Sequence, residues 1–113
     1  MSRTRIGLAA LTALLIAASP AVAEEPACAA AAAGQALKLL KFHTEGDDRA
    51  AVFADRVKSL GTIKALRGKG RLDVVEVPGA VYKADYRMRL IYAQIPGECV
   101  LMGQEILEAS DPY

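Results

Sequence analysis

Scarcity sets the first limits on this chain of 113 residues. It has one histidine, His43, with no cysteine or aspartate at metal-ligand spacing. Without a second histidine or a cluster of carboxylates there is no zinc site to propose, and neither a metal nor a cofactor is predicted. The chain has no Gly-x-Ser-x-Gly elbow, no phosphate-binding loop and no dinucleotide fingerprint, so the familiar catalytic motifs give no lead. Its only cysteines, Cys28 and Cys99, stand too far apart for a Cys-x-x-Cys redox motif. No apolar run reaches the roughly 20 residues of a membrane span. No internal repeat is visible either.

The longest apolar run, Ile6 to Ala18, follows Arg3 and Arg5 and leads into Ser19-Pro20-Ala21-Val22-Ala23. A basic start, a short apolar core and an Ala-x-Ala end describe a secretory signal peptide cut after Ala23. Residues 24–113 then form one domain in the periplasm or outside the cell. Cleavage takes 23 of the 113 residues and leaves 90, and two of the fourteen Lys and Arg residues go with them. Twelve cations then face thirteen acids, a formal charge of −1. So small a net charge argues against a general binder of nucleic acid or anionic membranes; such a role needs a local patch. In an oxidising compartment the two cysteines are expected to pair, the alternative being two free thiols.

Along the chain, Ala27 to Phe42 is rich in Ala, Leu and Lys, and Ala33, Ala36, Leu37 and Leu40 recur at helical spacing. After the break at His43-Thr44-Glu45-Gly46, Asp47 or Thr44 offers an N-cap. Asp47 and Asp48 suit a helix N-terminus, and Ala50, Phe53, Val57 and Leu60 follow at three- and four-residue steps. Gly61 stands where a helix would end. The spacing therefore predicts a two-helix hairpin. Residues 62–71, dense in glycine and charge, read as a mobile connection. Leu72–Val77 reads as a strand stopped by Pro78-Gly79, and Val81–Ile95 as a long strand bent near Lys83–Asp85. Tyr86, Met88, Leu90 and Tyr92 alternate with Arg87 and Arg89, the pattern of a strand buried on one face. Pro96-Gly97-Glu98 is turn chemistry, and Cys99–Leu107 returns as the last strand, with Gly103 a bulge or a point of close approach. The expected class is α+β: a two-helix hairpin followed by a three-stranded antiparallel sheet.

Charge is uneven. Residues 64–89 hold seven cations (Lys64, Arg67, Lys69, Arg71, Lys83, Arg87, Arg89) against Asp73, Glu76 and Asp85. The last segment carries Glu98, Glu105, Glu108 and Asp111. This asymmetry is either a patch for an anionic partner or neighbouring strands pairing their own charges, with Arg89 against Glu105 a plausible pair.

The span from about Phe53 to Leu107 resembles the RelE/ParE toxin family. The likeness rests on the helix expected to end near Leu60, on Ala65-Leu66-Arg67-Gly68, on a strand of alternating apolar residues, on Tyr86-Arg87-Met88-Arg89-Leu90-Ile91-Tyr92, and on the apolar closing strand. The resemblance implies a helical hairpin on an antiparallel sheet and cytoplasmic toxins that cleave messenger RNA or poison gyrase. It also implies Arg67, Arg87 and Arg89 as phosphate-facing cations with Tyr86 beside them. The chain departs from that pattern. The family's first strand is missing after export, acids follow the closing strand, and the signal peptide leads away from ribosomes. The order of elements also resembles small periplasmic assembly and inhibitor modules of the BamE type. The leading expectation is thus a non-enzymatic binding module that meets a protein partner, not nucleic acid, through its sheet face. The alternative is a RelE/ParE-like ribonuclease or its inactive exported relative. A homodimer through an uncovered edge strand is also open.

Overall fold

A computed structural model describes residues 25–110. The expected signal peptide, residues 1–23, and the end of the expected tail, residues 111–113, lie outside the described residues. In chain order come α1 (Ala29–His43), β1 (Ala50–Val52), a 3-10 turn (Ala54–Arg56), β2 (Lys58–Lys64), β3 (Arg71–Val81), β4 (Ala84–Ala93) and β5 (Leu101–Glu108). Among the described residues, one helix and five strands in a single antiparallel sheet replace the expected two-helix hairpin and three strands. The described domain is mostly β.

The second helix is absent because β3 needs a neighbour. β3 is eleven residues long, and β4 pairs with one of its sides over ten positions. The backbone groups of its other side would be left without partners, and the chain around residues 50–64 supplies them. β1 pairs with residues 79–81 and β2 with residues 71–76. The β-branched Val52, Val57, Thr62 and Ile63 suit this extended course better than a helix. Asp47, expected to cap a helix, instead accepts from the backbone and guanidinium of Arg49 at 2.9, 3.0 and 2.8 Å. Those bonds hold its carboxyl near pKa 2, below the ordinary 3.8.

Three other boundaries move. The connection expected over residues 62–71 is mostly a β-hairpin: Lys64 pairs with Arg71, and the Ala65 amide donates to Gly70 O at 3.0 Å. Pro78 does not stop β3. It falls where the strand changes partner from β2 to β1, and its carbonyl accepts from the Phe53 amide at 2.9 Å. The long strand Val81–Ile95 is two elements, split by the Tyr82-Lys83 turn between the pair Val81 and Ala84. Tyr82 holds φ 57°, a left-handed conformation unusual for an aromatic residue.

α1 covers one face of the sheet. Its Ala29, Ala32, Ala36 and Leu40 are buried, a stripe turned slightly from the expected one, with Ala33 and Leu37 half-buried. Opposite lie Val75, Val77 and Val81 of β3 and Tyr86, Met88, Leu90 and Tyr92 of β4. The alternation of β4 is therefore as expected, with all four apolar residues inside. Small alanine side chains let the helix approach closely. At Gly79 the packing is tight: an added Cβ would lie 3.2 Å from Leu40 Cδ2 of the helix, 2.8 Å from Ala51 O of β1 and 2.9 Å from Met88 Cε of β4. The disulfide between Cys28 and Cys99 is formed and ties the entrance of α1 to the loop before β5. A disulfide is compatible with an oxidising, exported location.

Candidate functional site

Register divides the sheet residues between two faces. Tyr86, Met88, Leu90 and Tyr92 turn toward α1, so Arg87, Arg89 and Ile91 turn to the outer face together with Val74, Glu76 and Pro78 of β3. Tyr86 is thus buried under the helix, where its ring meets His43 edge-on at a centroid distance of 5.6 Å. Burial is the main reason its phenol pKa is raised, and the Glu108 carboxylate across the pair adds to it. Burial also raises Tyr92.

The outer face is crossed by a ladder of alternating charge. Lys58, Glu76, Arg89 and Glu105 are successive register partners on β2, β3, β4 and β5. Arg89 Nε donates to Glu76 Oε1 at 3.2 Å and Nη1 to Glu105 Oε1 at 3.3 Å, while Lys58 Nζ lies 3.5 Å from Glu76 Oε2. Glu76 is only 3 % exposed, so it needs these two cations as partners. Its hydrogen bond is the chief cause of the raised Arg89 pKa, ahead of that from Glu105. The expected Arg89–Glu105 pair is present, but it is one rung of a longer network. Lys58 was missed because its segment reads as a helix, and Glu76 stands in a predicted strand without an assigned partner because the turn was expected at Pro78-Gly79. Once β2 is known to be a strand, the opposed signs at 58, 76, 89 and 105 mark the row.

The four residues singled out by sequence do not converge. Tyr86 faces the core, Arg89 is engaged in the ladder, and Arg87 is exposed on the outer face between its register partners Pro78 and Leu107. Arg67 lies in the β2–β3 loop, beyond the end of the sheet. Among the described residues neither Arg67 nor Arg87 makes an ion pair. Only Arg87 and Arg89 share a surface.

An open cleft of about 500 Å³ lies beside the disulfide, lined by Ala27, Ala93, Ile95 and Pro96. Of its polar members, Gln94 donates to Asp73 at 2.9 Å, and Glu98 lines it as well. Among the described residues no three His, Cys, Asp or Glu side chains gather in a way that could hold a metal ion. No helix among them is long and apolar enough to cross a membrane. Comparison with protein-family models, with curated proteins and with solved structures finds no match.

Proposed function

We propose that the domain is an exported, non-enzymatic binding module that receives an extended segment of a protein partner along β5 and the adjoining outer face. One observation carries this reading. Among the described residues β5 pairs only with β4, so its eight residues leave one side of the strand open to another chain. Strand addition of this kind draws affinity from backbone hydrogen bonds and specificity from the side chains beside them. Here those side chains are Arg87 and Leu107, a register pair in which both are exposed. β5 carries Glu105 and Glu108 and no cation, which favours a neutral or basic partner strand.

A ribonuclease of the RelE/ParE kind would need Arg67, Tyr86, Arg87 and Arg89 to reach one substrate, and only Arg87 and Arg89 share a surface. The binding reading is therefore preferred. Photo-reactive side chains placed at positions 87 and 107 test it in the producing cell. They should give adducts with a common protein, while the same group at Lys38 or Lys41 on the exposed side of α1 gives none. Equal adducts from all four positions would refute binding at this edge. Degradation of RNA by the purified protein, abolished by the double substitution R87A/R89A, would replace it with the ribonuclease.

A further inference from the structure

The hairpin of β2 and β3 ends in a loop unlike the rest of the surface. Leu66 stands at its tip fully exposed, and Gly68 takes φ 78° to close the turn. Around the leucine are Lys64, Arg67, Lys69 and Arg71. The sequence has no acid between Asp55 and Asp73. Arg71 is steered by Thr62, donating to its Oγ1 at 2.6 Å. Among the described residues none of these four cations makes an ion pair, in contrast to Lys58 and Arg89 in the ladder. Ile63 and Leu60 on the adjoining strand are also more than two-fifths exposed.

We infer that this tip docks on a bilayer rich in anionic phospholipid: the cations meet headgroup phosphates while Leu66 enters the boundary with the acyl chains. The surface is separate from the β5 edge, so this inference and the protein-binding reading can fail independently. Three features select lipid over other anions. The outermost side chain is aliphatic, and a membrane interface is the anionic surface with an apolar layer just beneath it. No aromatic residue occurs from position 57 to 72, so the hairpin lacks the stacking platform that single-stranded nucleic acid binders use. The charge is local on a chain whose overall charge is small, which suits a juxtamembrane basic cluster.

The test uses the purified, disulfide-bonded protein and vesicles of phosphatidylcholine, with or without about a third phosphatidylglycerol. Co-sedimentation should occur with the anionic vesicles alone and weaken as salt rises. R67A/K69A should lower partitioning about 25-fold, roughly fivefold per cation. L66S should lower it about tenfold with no change in charge. K83A removes a cation in the turn at the opposite end of β3 and should bind as wild type does. All three variants alter exposed positions, and their melting temperatures should match the wild type. Wild-type binding by R67A/K69A, or a loss with K83A equal to either tip variant, would overturn the inference. So would retention by L66S of full vesicle binding that heparin abolishes, since the tip would then be a general polyanion site.

Discussion

Breaking the Cys28–Cys99 bond should cost this domain a large part of its stability. The bond joins residues 71 positions apart. In the chain-entropy treatment, closing a loop of that length removes about 15 cal/mol/K from the unfolded ensemble, or about 4.4 kcal/mol at 25 °C. A domain of this size has a total stability of about 5–15 kcal/mol, so the reduced protein should be only marginally folded. Unfolding entropy of about 2.1 cal/mol/K per residue over residues 25–110 gives about 0.18 kcal/mol/K, and the melting temperature should then fall by about 20–25 °C. The assay is thermal unfolding followed by circular dichroism, comparing wild type, wild type in reductant and C28A/C99A. Reduced wild type and the double variant should coincide. Urea unfolding should show a steeper slope without the bond, because an uncrosslinked chain exposes more surface. A fall of less than about 5 °C would refute the reasoning, since the unfolded chain would then gain little freedom from the cut. Ready alkylation of both thiols in protein taken from its native compartment would refute the premise.

Two further outcomes follow from the core. G79A should lower the melting temperature by about 5–15 °C, equivalent to about 1–3 kcal/mol, as read by circular dichroism. The Met88 and Leu40 side chains can move away from the new methyl, but Ala51 O belongs to the β1 backbone paired with β3, so wild-type stability would contradict the close approach. The second outcome concerns alkaline pH. Tyr86 and Tyr92 have phenol pKa values above the ordinary 10.0, which means that the fold favours their neutral form. Their contribution to stability is intact below pH 10 and is lost as pH rises through the higher folded values. Ultraviolet difference titration should show two phenols ionising late and together with unfolding. Four freely titrating tyrosines would contradict their burial.

Some of this architecture can be read from the residues, and some depends on partners far along the chain. The period-two run from Tyr86 to Tyr92 identifies a half-buried strand because tyrosine, methionine and leucine alternate with arginine, a pattern a helix would not produce. The same alternation puts Tyr86 and Arg87 on opposite faces. Grouping them as one site came from family likeness and is not what the period implies. Residues 50–60 satisfy two periods at once: Ala50, Phe53, Val57 and Leu60 trace a helical stripe, while Ala50 and Val52 trace a strand. What decides between them is the unpaired side of β3, some twenty residues later, and no local window contains it. The Tyr82-Lys83 turn reads in the sequence only as a bend near Lys83–Asp85, because tyrosine does not favour the positive φ that the pairing of Val81 with Ala84 imposes on Tyr82. Pro78-Gly79 looked like a stop because proline and glycine usually are one. Here the proline falls at a change of strand partner, and the glycine gives β1 and α1 room.

The charge layout bears on how copies of the chain can meet. The ladder uses the ionic groups at the middle of the outer face, Glu105 of β5 among them, and leaves cations in the β2–β3 loop and Glu108 on β5 outside it. Pairing of two β5 edges would bring strands with two glutamates and no cation side by side, and like charges at short range oppose it. Pairing of β5 with the basic β2 of another copy is favoured by sign, but β2 shifts register between Ser59 and Thr62, where Gly61 takes φ 90°. A bulged edge accepts a new strand poorly. A heterologous contact of that kind would also repeat from copy to copy, building a ring or a filament and not a twofold dimer. The bulge in β2 and the acids on β5 therefore act in the same direction: both edges discourage self-association, and β5 remains open to a strand of different charge.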